Sequence, residues 1–179
     1  SVPIIVAAVS LFAVRKNERL KNILVAAGSV SALIYLTMTV FVKMHVDNVF
    51  EDNYKKQNIE YSRYMTTPMP FSNILWVGIA EGRDGYFTGY YSLLDRDSSI
   101  AFDIDTKNHD YLSDLTGNSA LETIISLSKN FYSVERAEGG FKLNDLRYGS
   151  LWAGNGIKEH IISYDIRPMQ DRLEIIRHT

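Results

Sequence analysis

The apolar positions of this chain are unevenly placed, and their spacing changes three times. Val2 to Val14 is an almost unbroken apolar run of 13 residues, "RKNERLKN" at 15–22 is polar, and Ile23 to Val42 holds twenty residues without a charge. As a helix, twenty residues cover about 30 Å, the thickness of a bilayer's hydrocarbon core, so 23–42 reads as a transmembrane helix. Gly28, Ser29, Ser31 and Ala32 are the small residues that line close helix contacts in membranes. The run 2–14 is too short for a full span and starts at the terminus. It is expected to be a truncated span in a fragment that begins inside a membrane helix, with an interfacial or buried segment as the alternative.

After residue 43 the period becomes helical and amphipathic. Val46, Phe50, Tyr54, Gln57, Tyr61 and Tyr64 recur at spacings of four and three, which predicts a stalk helix over 44–66. The prolines of "TTPMP" stop it. From there the pattern turns to strands. Asn73–Glu81 has apolar residues on both faces, and "GRDG" at 82–85 is a turn leading back into Tyr86–Leu94. Ser99–Asp105 alternates, with Ile100, Phe102 and Ile104 expected inward. "NHDYLSDL" predicts a short helix or turn. "NSALETIISLSKNF" predicts a helix with an Asn or Ser cap and a face of Leu121, Ile124, Ile125 and Leu127. Phe131–Ala137 and Phe141–Leu146 form a hairpin around "EGG". Strands follow at His160–Arg167 and Arg172–Arg177. The soluble part, 67–179, is therefore α+β with a mainly antiparallel sheet and one or two helices.

Charge orients this plan. Arg15, Lys16, Arg19 and Lys21 crowd the short connector 15–22, which the positive-inside rule assigns to the cytoplasm; residues after 43 then face the extracytoplasmic side. A formal net charge of −2 over 179 residues offers no electrostatic case for a nucleic-acid partner. The absence of cysteine excludes disulfides and thiolate metal sites.

Residues with possible chemistry are scattered. The histidines stand at 45, 109, 160 and 178, without metal-ligand spacing. His109 with Asp110 is an HD dipeptide, a metal candidate that would need further ligands. Asp95 and Asp97, two apart at a strand end, could converge on a hard cation. Tyr90, Tyr91 and Trp152 could line a binding groove, against the simpler reading of a packed aromatic sheet. No catalytic residue is assigned.

The stretches "TPMPFSNILWVGIAEGRDGYFTGYYSLLDRD" and "NDLRYG" (144–149) resemble the C-terminal part of the membrane-bound metal-dependent hydrolases. These are the YdjM-type, LexA-binding inner-membrane enzymes. The resemblance rests on Pro68, Pro70 and Phe71, on Trp76 and Gly78, and on Gly89 to Ser92, and covers 23–167. It implies a last membrane helix followed by an accessory domain in a bacterial inner membrane. The family's metal ligands belong to its N-terminal half: a Thr-His pair, a Pro-Asp-x-Asp segment and a His-Arg-x-x-Thr-His-Ser stretch. None occurs in these 179 residues. A divalent metal is thus expected only for the full-length protein, and the implied partners are the lipid bilayer and the missing N-terminal membrane half. The alternative is a membrane-anchored extracytoplasmic sensor or ligand-binding domain.

Overall fold

The computed structural model describes residues 18–115, 117–152, 158–169 and 173–178. The apolar run 2–14 and residues 15–17 of the connector lie outside these residues. The chain divides into two compact units, Ser1–His45 and Val46–Thr179. The first contributes one long helix, α1 (Glu18–Lys56), whose final turns belong to the second unit. Its most apolar window is long enough to cross a membrane and has no buried residue.

The second unit is α+β: two four-stranded antiparallel sheets with short helical segments. The first sheet is a meander of β1 (Arg63–Pro68), β2 (Leu75–Glu81), β3 (Gly85–Ser92) and β4 (Phe102–Thr106). A 3-10 segment (His109–Leu115) and α2 (Ser119–Leu127) lead into the second meander. Its strands are β5 (Tyr132–Ala137), β6 (Gly140–Trp152), β7 (Lys158–Pro168) and β8 (Leu173–His178).

Each sheet buries a different face against a different layer. In β2, Val77 and Ile79 join Tyr86, Met69, Phe131 and Leu146 in a core shared by the two sheets. The opposite face of β2 carries Trp76 and Gly78. Gly78 pairs with Gly89 on β3, and the two glycines leave a shallow channel across the sheet. Phe50 of α1 fills it at Gly78, and Ile100 and Phe102 fill it at Gly89. Any side chain at Gly78 would overlap the Phe50 ring. Around Phe50 the aromatic packing continues: Tyr54 stacks on Phe102 at 4.8 Å and meets Tyr61 at 5.1 Å. Sheet two packs Tyr132, Val134, Leu143 and Ile166 under Leu112, Leu121 and Ile124.

Four expectations are corrected. The helix predicted over 44–66 ends at Lys56, where Asn58 takes a left-handed φ of 53° and Ile59 N–H closes on Tyr54 O. Tyr61 and Tyr64 stay beside Tyr54 because the chain doubles back and β1 lies along the helix. Pro68, read as a breaker, ends an edge strand, where a missing N–H is tolerated. Ile104 is 65% exposed. Tyr54 covers Phe102, but Ile104 lies two residues further along an edge strand, past the helix end. Leu127 also faces out, since Ser128 takes the buried position and its hydroxyl bonds Ile125 O. The Asn118 cap forms as expected, accepting from Ala120 and Leu121 N–H.

Candidate functional site

The strand that turns Ile104 outward turns Asp105 inward. Asp105 of β4 is paired with Tyr86 of β3, and its carboxylate accepts a hydrogen bond from Thr88 Oγ1 at 3.0 Å. From the second sheet, Lys158 Nζ donates to its other oxygen at 2.7 Å. His160 Nε2 stands 3.8 Å from the same oxygen, too far for a hydrogen bond. The side chain of Asp105 is 10% exposed and that of His160 6%. Burial outweighs the Asp105 carboxylate and holds the His160 imidazole below its ordinary pKa, helped by the charge of Lys158. His160 is therefore neutral at pH 7, and its Nδ1 is buried without a hydrogen-bond partner among the described residues.

Tyr90 extends this polar seam. Ser150, the register partner of His160, donates its N–H to Tyr90 Oη at 2.7 Å, and the two hydroxyls are 2.9 Å apart. Serine, histidine and aspartate are thus neighbours without forming a charge-relay chain. Ser150 Oγ is engaged by Tyr90, and among the described residues neither histidine nitrogen is in hydrogen-bond contact with a nucleophile. What the arrangement can do is clamp one sheet to the other through a nearly water-free ion pair, where removal of one partner costs much more than the pair contributes. Sequence reasoning missed Asp105 because its alternation was read from the apolar residues alone. Only the lysine and threonine brought by other strands explain its burial.

A second charged cluster closes the far end of the first sheet. Glu81 accepts from Arg63 and Lys107, and Arg63 also donates to the carbonyls of Lys129 and Asn130. Burial alone would raise the Glu81 carboxyl, but the hydrogen bonds from Lys107 and Arg63 hold it below its usual range.

The residues singled out from sequence fall in separate places. His109 stacks on Tyr132 at 4.1 Å and its Nε2 lies 3.0 Å from Tyr132 O; Asp110 is exposed at the start of the 3-10 segment. His109 lines a cavity of about 190 Å³ shared with Leu112, Leu121, Ile125 and Tyr132. That is below the roughly 300–1,000 Å³ of typical ligand pockets. Among the described residues, no three metal-ligating side chains gather. Asp95 and Asp97 are exposed and each serves its own turn, accepting from Ser92 N–H and Ser99 N–H. Tyr91 is buried on the helix-covered face beside Trp76, and Tyr90 lies on the inter-sheet face. Trp152 ends β6, and its side chain lies outside the described residues.

These features define a class: an apolar helix of membrane-spanning length, continuous with an α+β domain of two antiparallel meanders. No family model, curated protein or solved structure matches the chain.

Proposed function

We propose that the chain is the last membrane helix and the extracytoplasmic accessory domain of a membrane-bound, metal-dependent hydrolase of a bacterial inner membrane. One observation carries the membrane part. A twenty-residue stretch without charge is entirely unburied, while the next turns of the same helix bury Val46, Val49, Phe50, Asn53 and Tyr54 in a folded domain. Apolar side chains left unburied at this density need lipid as their solvent. The hydrolase part rests on the resemblance at 68–71, 76–78, 89–92 and 144–149. These are packing and turn residues, as the Phe50–Gly78 contact illustrates, so the domain's role is to orient substrate or dock a partner over metal ligands held elsewhere.

Two assays test this. Alkaline phosphatase fused after residue 179 of the complete gene product should be active, and a reporter that fluoresces only in the cytoplasm should be dark; the reverse overturns the orientation. The complete gene product should hydrolyse ester or phosphodiester probes with added manganese or zinc, and lose activity with chelator. Metal-independent ligand binding without turnover would favour the second reading, an extracytoplasmic ligand-binding domain.

A further inference from the structure

The end of the domain where the chain enters at Val46 carries an apolar tip. Thr66 of β1 is hydrogen-bonded to Asp47, and Tyr64 to Glu51, so β1 runs antiparallel to the buried turns of α1. Along a strand, Pro68 stands about 6.6 Å beyond Thr66. Along the helix, Val46 is only about 1.5 Å beyond Asp47. The connection from β1 to β2 therefore projects past the entry point of the domain. At its tip Phe71 is fully exposed in a left-handed conformation, φ 61°, which an aromatic residue adopts only under local constraint. Ile74 and Leu75 follow, both exposed.

The neighbouring connection from β3 to β4 adds Leu94, also exposed, and Leu93 N–H is bonded to Ile74 O, so the two tips form one surface. The tips are held in shape. Ser72 Oγ accepts from Ile74 and Leu75 N–H, and Ser92 Oγ from Leu94 N–H. A rigid display of Phe71 toward water has no folding rationale.

We propose that Phe71, Ile74, Leu75 and Leu94 insert into the interfacial layer of the bilayer that holds the helix. This rests on the reading of Ile23–Val42 as a membrane span. Val46 is four residues past Val42, so the tether places it within about 6 Å of the hydrocarbon boundary if helical and about 14 Å if fully extended. The head-group layer is itself about 5–7 Å deep on each side. A tether this short keeps side chains at the entry end of the domain within reach of that layer, where Phe and Leu are stabilised by removal from water. The occupant is lipid rather than an anionic surface, since Asp95 and Asp97 flank the only nearby cation, Arg96, among the exposed residues of that loop. Contact is therefore driven by apolar area and insensitive to salt.

The cysteine-free chain makes the test direct. Single cysteines at Phe71, at Asp84 in the opposite turn and at Ile34 within the span carry an environment-sensitive fluorophore in phosphatidylcholine vesicles. Lipids with a nitroxide at shallow or deep positions act as quenchers. The label at 34 should be quenched by the deep nitroxide. The label at 71 should lose at least about half its emission to the shallow one, equally in low and high salt, and the label at 84 should be unaffected. Quenching at 34 with 71 behaving like 84 overturns the inference and leaves the membrane span standing. No quenching at 34 overturns the span, and the inference with it. A label at 71 shielded from aqueous iodide in detergent micelles diluted to monomers, but not quenched in lipid, assigns the tip to a protein contact instead. Melting of the 71 variant should match the parent, because the replaced side chain touches nothing in the fold.

Discussion

The two stretches of α1 follow one helical period and bury opposite amounts of themselves. Between residues 23 and 42 the apolar side chains are unburied all the way round. Between 46 and 56 a single stripe of Val46, Val49, Phe50, Asn53 and Tyr54 is buried and the charged residues take the remaining faces. An all-round apolar helix needs a solvent that is apolar on every side, whereas a striped one needs a sheet to lie on. The first stretch is long and apolar enough to cross a membrane, and the second takes its stability from the glycine channel of the first sheet.

The largest expected effect breaks the second stretch. Trp76→Ala, which opens a cavity beside that channel, should cost about 3–5 kcal/mol of a total near 5–15 kcal/mol, and nearly unfold the domain. Gly78→Leu should be comparably damaging because Phe50 would have to leave its seat. Chemical denaturation of the protein in micelles, followed by tryptophan emission, measures both. Leu36→Ala in the first stretch is the contrasting control and should leave that transition in place. If Trp76→Ala melts like the parent while ligand binding disappears, Trp76 is part of a recognition surface.

A charge tests the first stretch. Leu33→Asp, near the middle of the apolar run, should raise the cost of membrane insertion by about 2.5–3.5 kcal/mol. A glycosylation-tagged insertion assay reads this as a fall in the inserted fraction. Lys56→Asp, at an exposed position of the striped stretch, should do nothing measurable.

Smaller effects are expected at the seam between the sheets. Tyr90→Phe leaves the Ser150 N–H without its acceptor, at a cost of about 1–3 kcal/mol. An unchanged stability would show that the Tyr90 hydroxyl does not hold the Ser150 N–H. The least of the effects is a pH dependence. His160 is held below its ordinary pKa in the folded state, so the unfolded chain takes up the proton first as pH falls. Stability contributed by the neutral imidazole is present above the unfolded value, about 6.5, and is lost as pH drops below it toward the depressed folded value. His160→Gln should flatten the melting temperature against pH between about 7 and 5. An unchanged slope would assign the acid sensitivity to the carboxylates instead.

How much of this was legible beforehand differs by element. The apolar span, the Asn118 cap and the "GRDG" turn each depend on neighbours in sequence, and each could be read from residue type and spacing. Tyr61 and Tyr64 kept helical spacing with Tyr54 yet belong to the return path into β1. Spacing records which residues meet but not whether the chain arrives by a further helical turn or by doubling back. The candidate site was less legible still. His109, Asp110, Asp95 and Asp97 drew notice as ionisable pairs close in sequence, but proximity along the chain left them in separate turns. Asp105 lies more than fifty residues from Lys158 and His160, which share a strand of the other sheet, and only the packing of one sheet on the other joins them.

The sequence by itself determined that twenty uncharged residues precede an α+β domain, since hydrocarbon thickness and helical rise set the length of a span without reference to any fold. Tertiary structure alone decided that eight strands split into two sheets, that Gly78 and Gly89 form the seat of Phe50, and that Asp105 faces inward. An alternating strand offers either face to the interior. Which one is buried depends on the layer that arrives to cover it and on the polar partners that layer brings.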